Sequence, residues 1–221
     1  MNGASDSTSQ DYRREHLAAL DVLRHAKNMT FWLGMFAILA HVGTWYAVRH
    51  TKLLTGPTVA DMDTSAAGST ASLDDATRIN QWEMRLDSTL GVAGLVGRAA
   101  IVLLMGLYVL SLLVGLSARL GGAAGMAKSC VWSLLALALL VPWDRLSSEP
   151  VVAGNLPSAF YSLDDVTRAT VTSGFNLPDT IRFAAFPLVI LILLISAQVT
   201  YRAGYARIVA APAARVPMRE F

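Results

Sequence analysis

The chain holds one cysteine among its 221 residues, and charged residues make up only 15% of it. The single thiol, Cys130, permits no disulfide within the chain and no cluster of cysteine ligands for a metal. Soluble domains carry about 25% charged residues, so the deficit indicates a membrane protein. Glycine-rich phosphate loops and the HExxH, GxSxG and CxxC patterns are also missing from the sequence. We therefore expect a protein that is not an enzyme and has no resident metal.

Hydrophobic residues make up 54% of the chain and are gathered in blocks. A hydrocarbon core of ~30 Å needs about 20 apolar residues in a helix. Four blocks reach or approach that length without the period-two alternation of barrel strands, at residues 30–48, 99–117, 126–143 and 181–200. Lys128 shortens the third block, so a buried or interfacial helix is its alternative. The sequence predicts an all-α integral membrane protein with four transmembrane helices.

Charges are divided unequally among the segments that join these spans. The two end segments and the link after the second span, counted with Lys128, hold ten bases and five acids. The two long loops, counted with Arg182, hold eight bases and eleven acids. Bases near the ends of spans favour the cytoplasm, which predicts a multi-pass protein of the bacterial inner membrane with both termini cytoplasmic. The cytoplasmic segments are then residues 1–29, 118–125 and 201–221, and the extracytoplasmic loops are residues 49–98 and 144–180.

One phrase recurs almost unchanged in the two outer loops. It reads SLDDATR at residues 72–78 and SLDDVTR at residues 162–168. Each copy lies between the first and second span of a pair, so the chain is interpreted as two tandem helix–loop–helix hairpins. Parallel repeats of this kind occur in membrane proteins, and coincidence within a single heptad is the alternative.

The recurring phrase has the form of a helix N-terminus. Serine followed three positions later by an acid is a variant of the capping box, and acids in the first turn favour the positive end of the helix dipole. Arginine four positions after the first aspartate permits an ion pair. We expect a short helix in each outer loop, and a cation site built by the two loops is the alternative. The candidate caps and loop contacts are Ser72, Asp74, Asp75, Arg78, Ser162, Asp164, Asp165 and Arg168.

His41 is the one histidine inside a predicted span. Ionisable residues within the membrane are functional hypotheses by default. A single histidine could ligate a haem or a chlorophyll-type pigment, or relay a proton. The alternative is a hydrogen bond to a neighbouring helix, near Thr44 or a partner chain, and the sequence favours this second interpretation.

The two end segments differ in character. Residues 1–29 contain an amphipathic stretch from Asp11 to Lys27, suited to a membrane surface or a partner. The tail at residues 201–221 carries four arginines and two late prolines, and alone it is expected to be disordered.

The favoured hypothesis is a non-catalytic structural or accessory subunit of a larger bacterial membrane complex. Its partners would be lipid and other membrane subunits, reached through the outer loops and both tails, and no nucleic acid. Two alternatives stay open. One is a small oligomeric transporter or channel, and the other is a pigment- or haem-associated subunit of an electron-transfer or photosynthetic complex that uses His41.

Overall fold

The computed structural model describes residues 3–51, 71–117, 123–141, 159–166 and 177–210. Within those ranges the regular elements are helical and no strand occurs. The helices are α1 (Gly3–Thr51), α2 (Ala71–Ser117), α3 (Ala123–Leu140), α4 (Leu177–Thr180), a π-helical turn (Ile181–Ala185) and α5 (Phe186–Ala210), with one further helical turn at residues 163–166.

Four of the described helical segments are long and apolar enough to cross a membrane. Each contains most or all of one span predicted from the sequence, so the prediction of an all-helical chain with four such helices is confirmed. The third segment has 18 residues and is therefore about 27 Å long, which nearly matches the hydrocarbon core. The four segments are Arg14–Arg49, Met84–Ser117, Ala123–Leu140 and Ile181–Ala210.

Two of these helices are much longer than the sequence predicted. Residues 3–29 of the predicted N-terminal segment and the first span belong to one helix, α1, of 49 residues. Helix α2 has 47 residues and takes in much of the predicted loop 49–98, so the expected short loop helix runs without a break into the second span. The reason is local, because no proline or glycine stands between Gly3 and Gly34 or between Ala71 and Gly91.

The other helix ends also differ from the predicted boundaries. Helix α5 continues ten residues past position 200, so the first half of the predicted tail is helical. Its end at Ala210 precedes Pro212, as expected because proline disfavours helix in the residue before it. Helix α3 ends at Leu140, before Pro142. Residues 1–2, 52–70, 118–122, 142–158, 167–176 and 211–221 lie outside the described part of the chain.

The chain divides into two compact units that do not coincide with the two halves of the repeat. The first unit comprises Met1–Trp32, Ala100–Ala138 and Ile192–Phe221. Its helices approach closely at Gly125, where an added Cβ would lie 2.8 Å from the Cα of Gly204. Small residues therefore bring α3 and α5 together backbone to backbone. The buried apolar side chains of this unit include Leu20, Phe31, Ile101, Leu104, Met126, Leu194 and Ile208.

The second unit comprises Leu33–Ala99 and Leu139–Leu191. Its core joins side chains of α1 and α2 to the segment at residues 159–166 and to the π-helical turn. Gly97 of α2 is required by this packing, because an added Cβ would overlap the ring of Phe160 and lie 2.9 Å from Ala37 Cβ. The core cluster is formed by Trp45, Val48, Leu90, Tyr161, Leu163, Val166 and Phe183.

Candidate functional site

A buried lysine organises the first unit. Lys27 of α1 is fully buried, and its Nζ donates a hydrogen bond of 2.7 Å to Oε1 of Gln198 on α5. The bonds and ring contacts that Lys27 makes with described residues include no carboxylate. An ammonium without a counter-ion is costly to bury unless other groups satisfy it, so its surroundings are the first candidate site.

Gln198 is the hub of this network. An ammonium can only donate hydrogen bonds, so the glutamine must turn its oxygen toward Lys27. The same oxygen accepts a 3.2 Å bond from the hydroxyl of Tyr108, and its Nε2 donates a 2.7 Å bond to Oδ1 of Asn28. Both acceptor positions of the oxygen and one of the two N–H groups of this amide are thereby committed to α1 and α2.

Two tyrosine rings complete the enclosure of the ammonium. Nζ of Lys27 lies 3.7 Å from the ring centroid of Tyr201 and 5.5 Å from that of Tyr108. Desolvated contacts of this kind stabilise a cation by about 2 kcal/mol. The Tyr201 hydroxyl lies 3.3 Å from the hydroxyl oxygen of Ser111, which itself donates to the Leu107 carbonyl at 2.7 Å. We call Lys27, Asn28, Tyr108, Ser111, Gln198 and Tyr201 the lysine network.

Sequence reasoning assigned Lys27 to a cytoplasmic segment and did not single out the network. One signal was present: Lys27 follows Leu20 by seven residues and Leu23 by four, so it lies on the same helix face as the buried Leu20. Its partners gave no such signal, because Gln198 is 171 positions away in the chain.

His41, the sequence-predicted candidate, is fully buried in the second unit. Its Nδ1 lies 2.9 Å from the carbonyl oxygen of Ala37, one turn earlier in the same helix. A carbonyl only accepts, so Nδ1 carries the proton and Nε2 presents a lone pair. Nε2 is buried and has no hydrogen-bond partner among the described residues. The nearby Thr44 hydroxyl bonds to Ala40 instead.

The surroundings of His41 do not fit a haem or a chlorophyll-type pigment. The ring makes edge contacts with Phe160 and Tyr161, with centroid distances of 5.0 and 5.4 Å. On the Nε2 side stands Gly94, where an added Cβ would lie only 3.6 Å from the nitrogen. A flat macrocycle ligated by Nε2 would have to occupy the place of the α2 backbone. This arrangement favours a packing role for His41.

Tyr161 connects three elements of the second unit. Its hydroxyl donates a 2.6 Å bond to the carbonyl of His41 and lies 3.4 Å from the carbonyl of Phe183. The Phe183 carbonyl cannot receive the usual α-helical bond, because Pro187 has no N–H to donate. Burial raises the pKa of Tyr161, so the phenol stays protonated at neutral pH.

The second copy of the recurring phrase caps the helical turn at residues 163–166. Oγ of Ser162 accepts a 3.2 Å bond from the N–H of Asp165 and donates a 3.0 Å bond to its carboxylate. The carboxylate also accepts a 3.2 Å bond from the N–H of Ser162. These are the reciprocal bonds of a capping box. Asp164 is exposed, and Arg168 lies outside the described residues.

The first copy of the phrase lies at the start of α2, which begins at Ala71. Only the backbone is described there, so the side-chain contacts of this copy stay a prediction. The residues concerned are Ser72, Asp74, Asp75 and Arg78. The structure therefore describes the cap of one copy and does not show the two copies building a joint cation site.

No protein-family model matches the chain, and neither does a curated protein or a solved structure.

Proposed function

We propose that the protein is a non-catalytic structural or accessory subunit of a larger membrane complex, placed in the bacterial inner membrane with both termini cytoplasmic. The observation that carries this proposal is the length of α1 and α2, which have 49 and 47 residues. At 1.5 Å per residue they measure about 73 and 70 Å. A hydrocarbon core takes only ~30 Å of a helix.

Each long helix therefore has a polar extension outside its apolar span. In α1 the extension is residues 3–28, and in α2 it is residues 71–90. Under the charge-based topology the first enters the cytoplasm and the second enters the outer compartment. Long helical extensions offer surfaces to other proteins on either side of a membrane, and side chains on them such as Val22 and Met84 are exposed apolar groups.

The polar interior also supports a structural role. The described groups of the lysine network bond to one another, and Lys27 at its centre is fully buried. Such a network locks the helices that contribute to it. A substrate path would need polar groups that are left accessible along a route, and Lys27 is instead enclosed by Gln198 and two rings.

Site-specific photo-crosslinking in the native membrane tests this proposal. A photoreactive amino acid at Val22 or Met84 is expected to capture proteins of fixed identity that also co-purify at a fixed ratio. The matched control is Leu103, which is exposed to a similar degree but lies within the apolar part of α2, and there lipid should dominate. Crosslinks only to other copies of this chain, with no co-purifying protein, would contradict the proposal.

A small oligomeric transporter or channel is the second candidate. The specific observation in its favour is the burial of Lys27 within a helix apolar enough to cross a membrane, since such residues mark ion and substrate paths. This candidate predicts flux in liposomes containing the purified protein alone, lost in Lys27→Met. No flux from a correctly folded sample would exclude it and leave the subunit proposal standing.

A further inference from the structure

In the first unit two cations of α1 and two tyrosine rings of α5 form a continuous series of contacts. We call Lys27, Tyr201, Tyr205 and Arg24 the ladder. Lys27 lies over the ring of Tyr201, and Tyr201 stacks on Tyr205 with a centroid distance of 6.4 Å and an interplanar angle of 15°. Arg24 then lies over Tyr205, 5.1 Å from its centroid. The two cations are one turn apart on α1, and the two tyrosines are one turn apart on α5. The rings hold both cations in fixed positions.

Positive charge accumulates around this ladder. Arg24 lies one turn before Lys27 on α1, and Arg202 lies one turn after Gln198, the hydrogen-bond acceptor of Lys27, on α5. Asp21 offsets Arg24 only in part, because the 3.9 Å pair is about half exposed on both sides. Arg202 is exposed, and no ion pair links it to a described residue. The described side chains of this unit include six bases and two acids, so the positive charge is not balanced within the described part of the chain.

The ladder also lies at the edge of the apolar spans. In α1 the apolar run begins at Met29, directly after Lys27 and Asn28, and in α5 it ends near Val199, before Arg202. Residues at that level of a spanning helix meet the phosphate layer of the bilayer. Basic sites between helices at this level bind anionic headgroups.

We propose that Arg24 and Arg202 bind the phosphate of an anionic phospholipid, with the buried Lys27 adding positive potential from the interior. The anion offsets the positive charge of Arg24 and Arg202, and its acyl chains lie along the exposed apolar faces of α1 and α5. Arg202 is the principal ligand because it is exposed and lacks an ion-pair partner among the described residues. The proposal requires membrane insertion but does not require a partner protein.

Native mass spectrometry of the full chain in detergent tests the proposal, with phosphatidylglycerol titrated against phosphatidylcholine. Each basic residue contributes about a fivefold factor to the binding of anionic lipid. Arg202→Gln should therefore weaken phosphatidylglycerol binding about fivefold, and Arg24→Gln with Arg202→Gln about 25-fold. Arg202→Lys keeps the charge and should retain most of the binding.

The matched control is Arg207→Gln, which removes one exposed charge from the same helix farther from Lys27. It should change lipid binding less than twofold, and thermal unfolding should show that every variant compared is folded. An equal loss of phosphatidylglycerol binding in Arg207→Gln and in Arg202→Gln would overturn the proposal, because it would show that the lipid responds only to the general surface charge. Equal affinity for phosphatidylcholine would also overturn it, as would displacement of the lipid by millimolar inorganic phosphate. None of these results depends on whether a partner subunit is found.

Discussion

The ammonium of Lys27 and the side-chain oxygen of Gln198 lie 2.7 Å apart although 171 positions separate the two residues. This bond joins the middle of α1 to the middle of α5 within the first unit. Because Gln198 also bonds to Tyr108 and Asn28, the glutamine is the least replaceable member of the lysine network.

Gln198→Leu should be far more damaging than Lys27→Met. Leucine leaves the buried ammonium without an oxygen and strands the Asn28 amide, so the free energy of unfolding should fall by about 2–4 kcal/mol. Methionine removes the charge and keeps most of the volume, and Gln198 still accepts from Tyr108. The cost of Lys27→Met should therefore stay within about 1 kcal/mol.

Denaturant unfolding in micelles measures both variants and their double mutant. The double mutant should be more stable than Gln198→Leu alone, because it contains no unsatisfied buried charge. Equal losses from the two single substitutions would show that the ammonium itself stabilises the unit, against this account.

Alanine substitutions at positions 91, 94 and 97 of α2 distinguish the effect of packing on stability from the effect of helix propensity. At Gly97 an added Cβ would overlap the Phe160 ring, so Gly97→Ala should destabilise the protein by about 1–3 kcal/mol. At Gly91 nothing lies within 4 Å, and Gly91→Ala should stabilise it by about 0.5–1 kcal/mol. The effect of Gly94→Ala on stability should lie between those two, since its added Cβ would make ordinary contact with His41.

Thermal unfolding of the three alanine variants in one detergent gives the comparison. A destabilised Gly91→Ala would mean that another chain or a lipid approaches that face of α2. A neutral Gly97→Ala would mean that Phe160 leaves its position at little cost, which would place the segment at residues 159–166 elsewhere.

The sequence was sufficient to predict the four apolar helices, because the length of an apolar run reflects the thickness of the membrane directly. It was not sufficient to predict where the helices end. Near Ala71 the capping pattern at Ser72 indicates a helix start, but between that point and Gly91 only the absence of proline and glycine indicates that the helix continues. Membrane orientation and the meaning of the repeat stay predictions.

The two buried sites were predictable to different degrees. His41 stood out because it is ionisable and lies inside an apolar run, but its neighbours Gly94 and Phe160 come from distant segments with no signature of their own. Lys27 lies just before an apolar run, where a lysine is normally solvated. Its burial follows from Gln198 and Tyr201 on another helix, and a single sequence holds no record of that pairing.

The effects of substituting Tyr161 and Pro187 on stability should be coupled, because Pro187 lacks the N–H that would otherwise bond to the Phe183 carbonyl. Tyr161→Phe removes the donor to the His41 carbonyl and the hydroxyl nearest the Phe183 carbonyl, so unfolding free energy should fall by about 1–2 kcal/mol. In a Pro187→Ala background the new N–H can bond to Phe183, and the same tyrosine substitution should cost less. A double-mutant cycle in micelles measures the difference, and strictly additive costs would argue against the coupling.

The recurring phrase can be tested as a pair of caps. Ser162→Ala removes the hydroxyl that bonds to both the N–H and the carboxylate of Asp165, and loss of such a cap costs about 0.5–2 kcal/mol. If the first copy has the same role at the start of α2, then Ser72→Ala should lower stability by a similar amount. Ser88→Ala is the matched control, because Ser88 is an exposed residue in the interior of the same helix, where alanine is the better helix former. A loss in Ser162→Ala alone would restrict the capping role to the second copy and leave the first copy's serine without it.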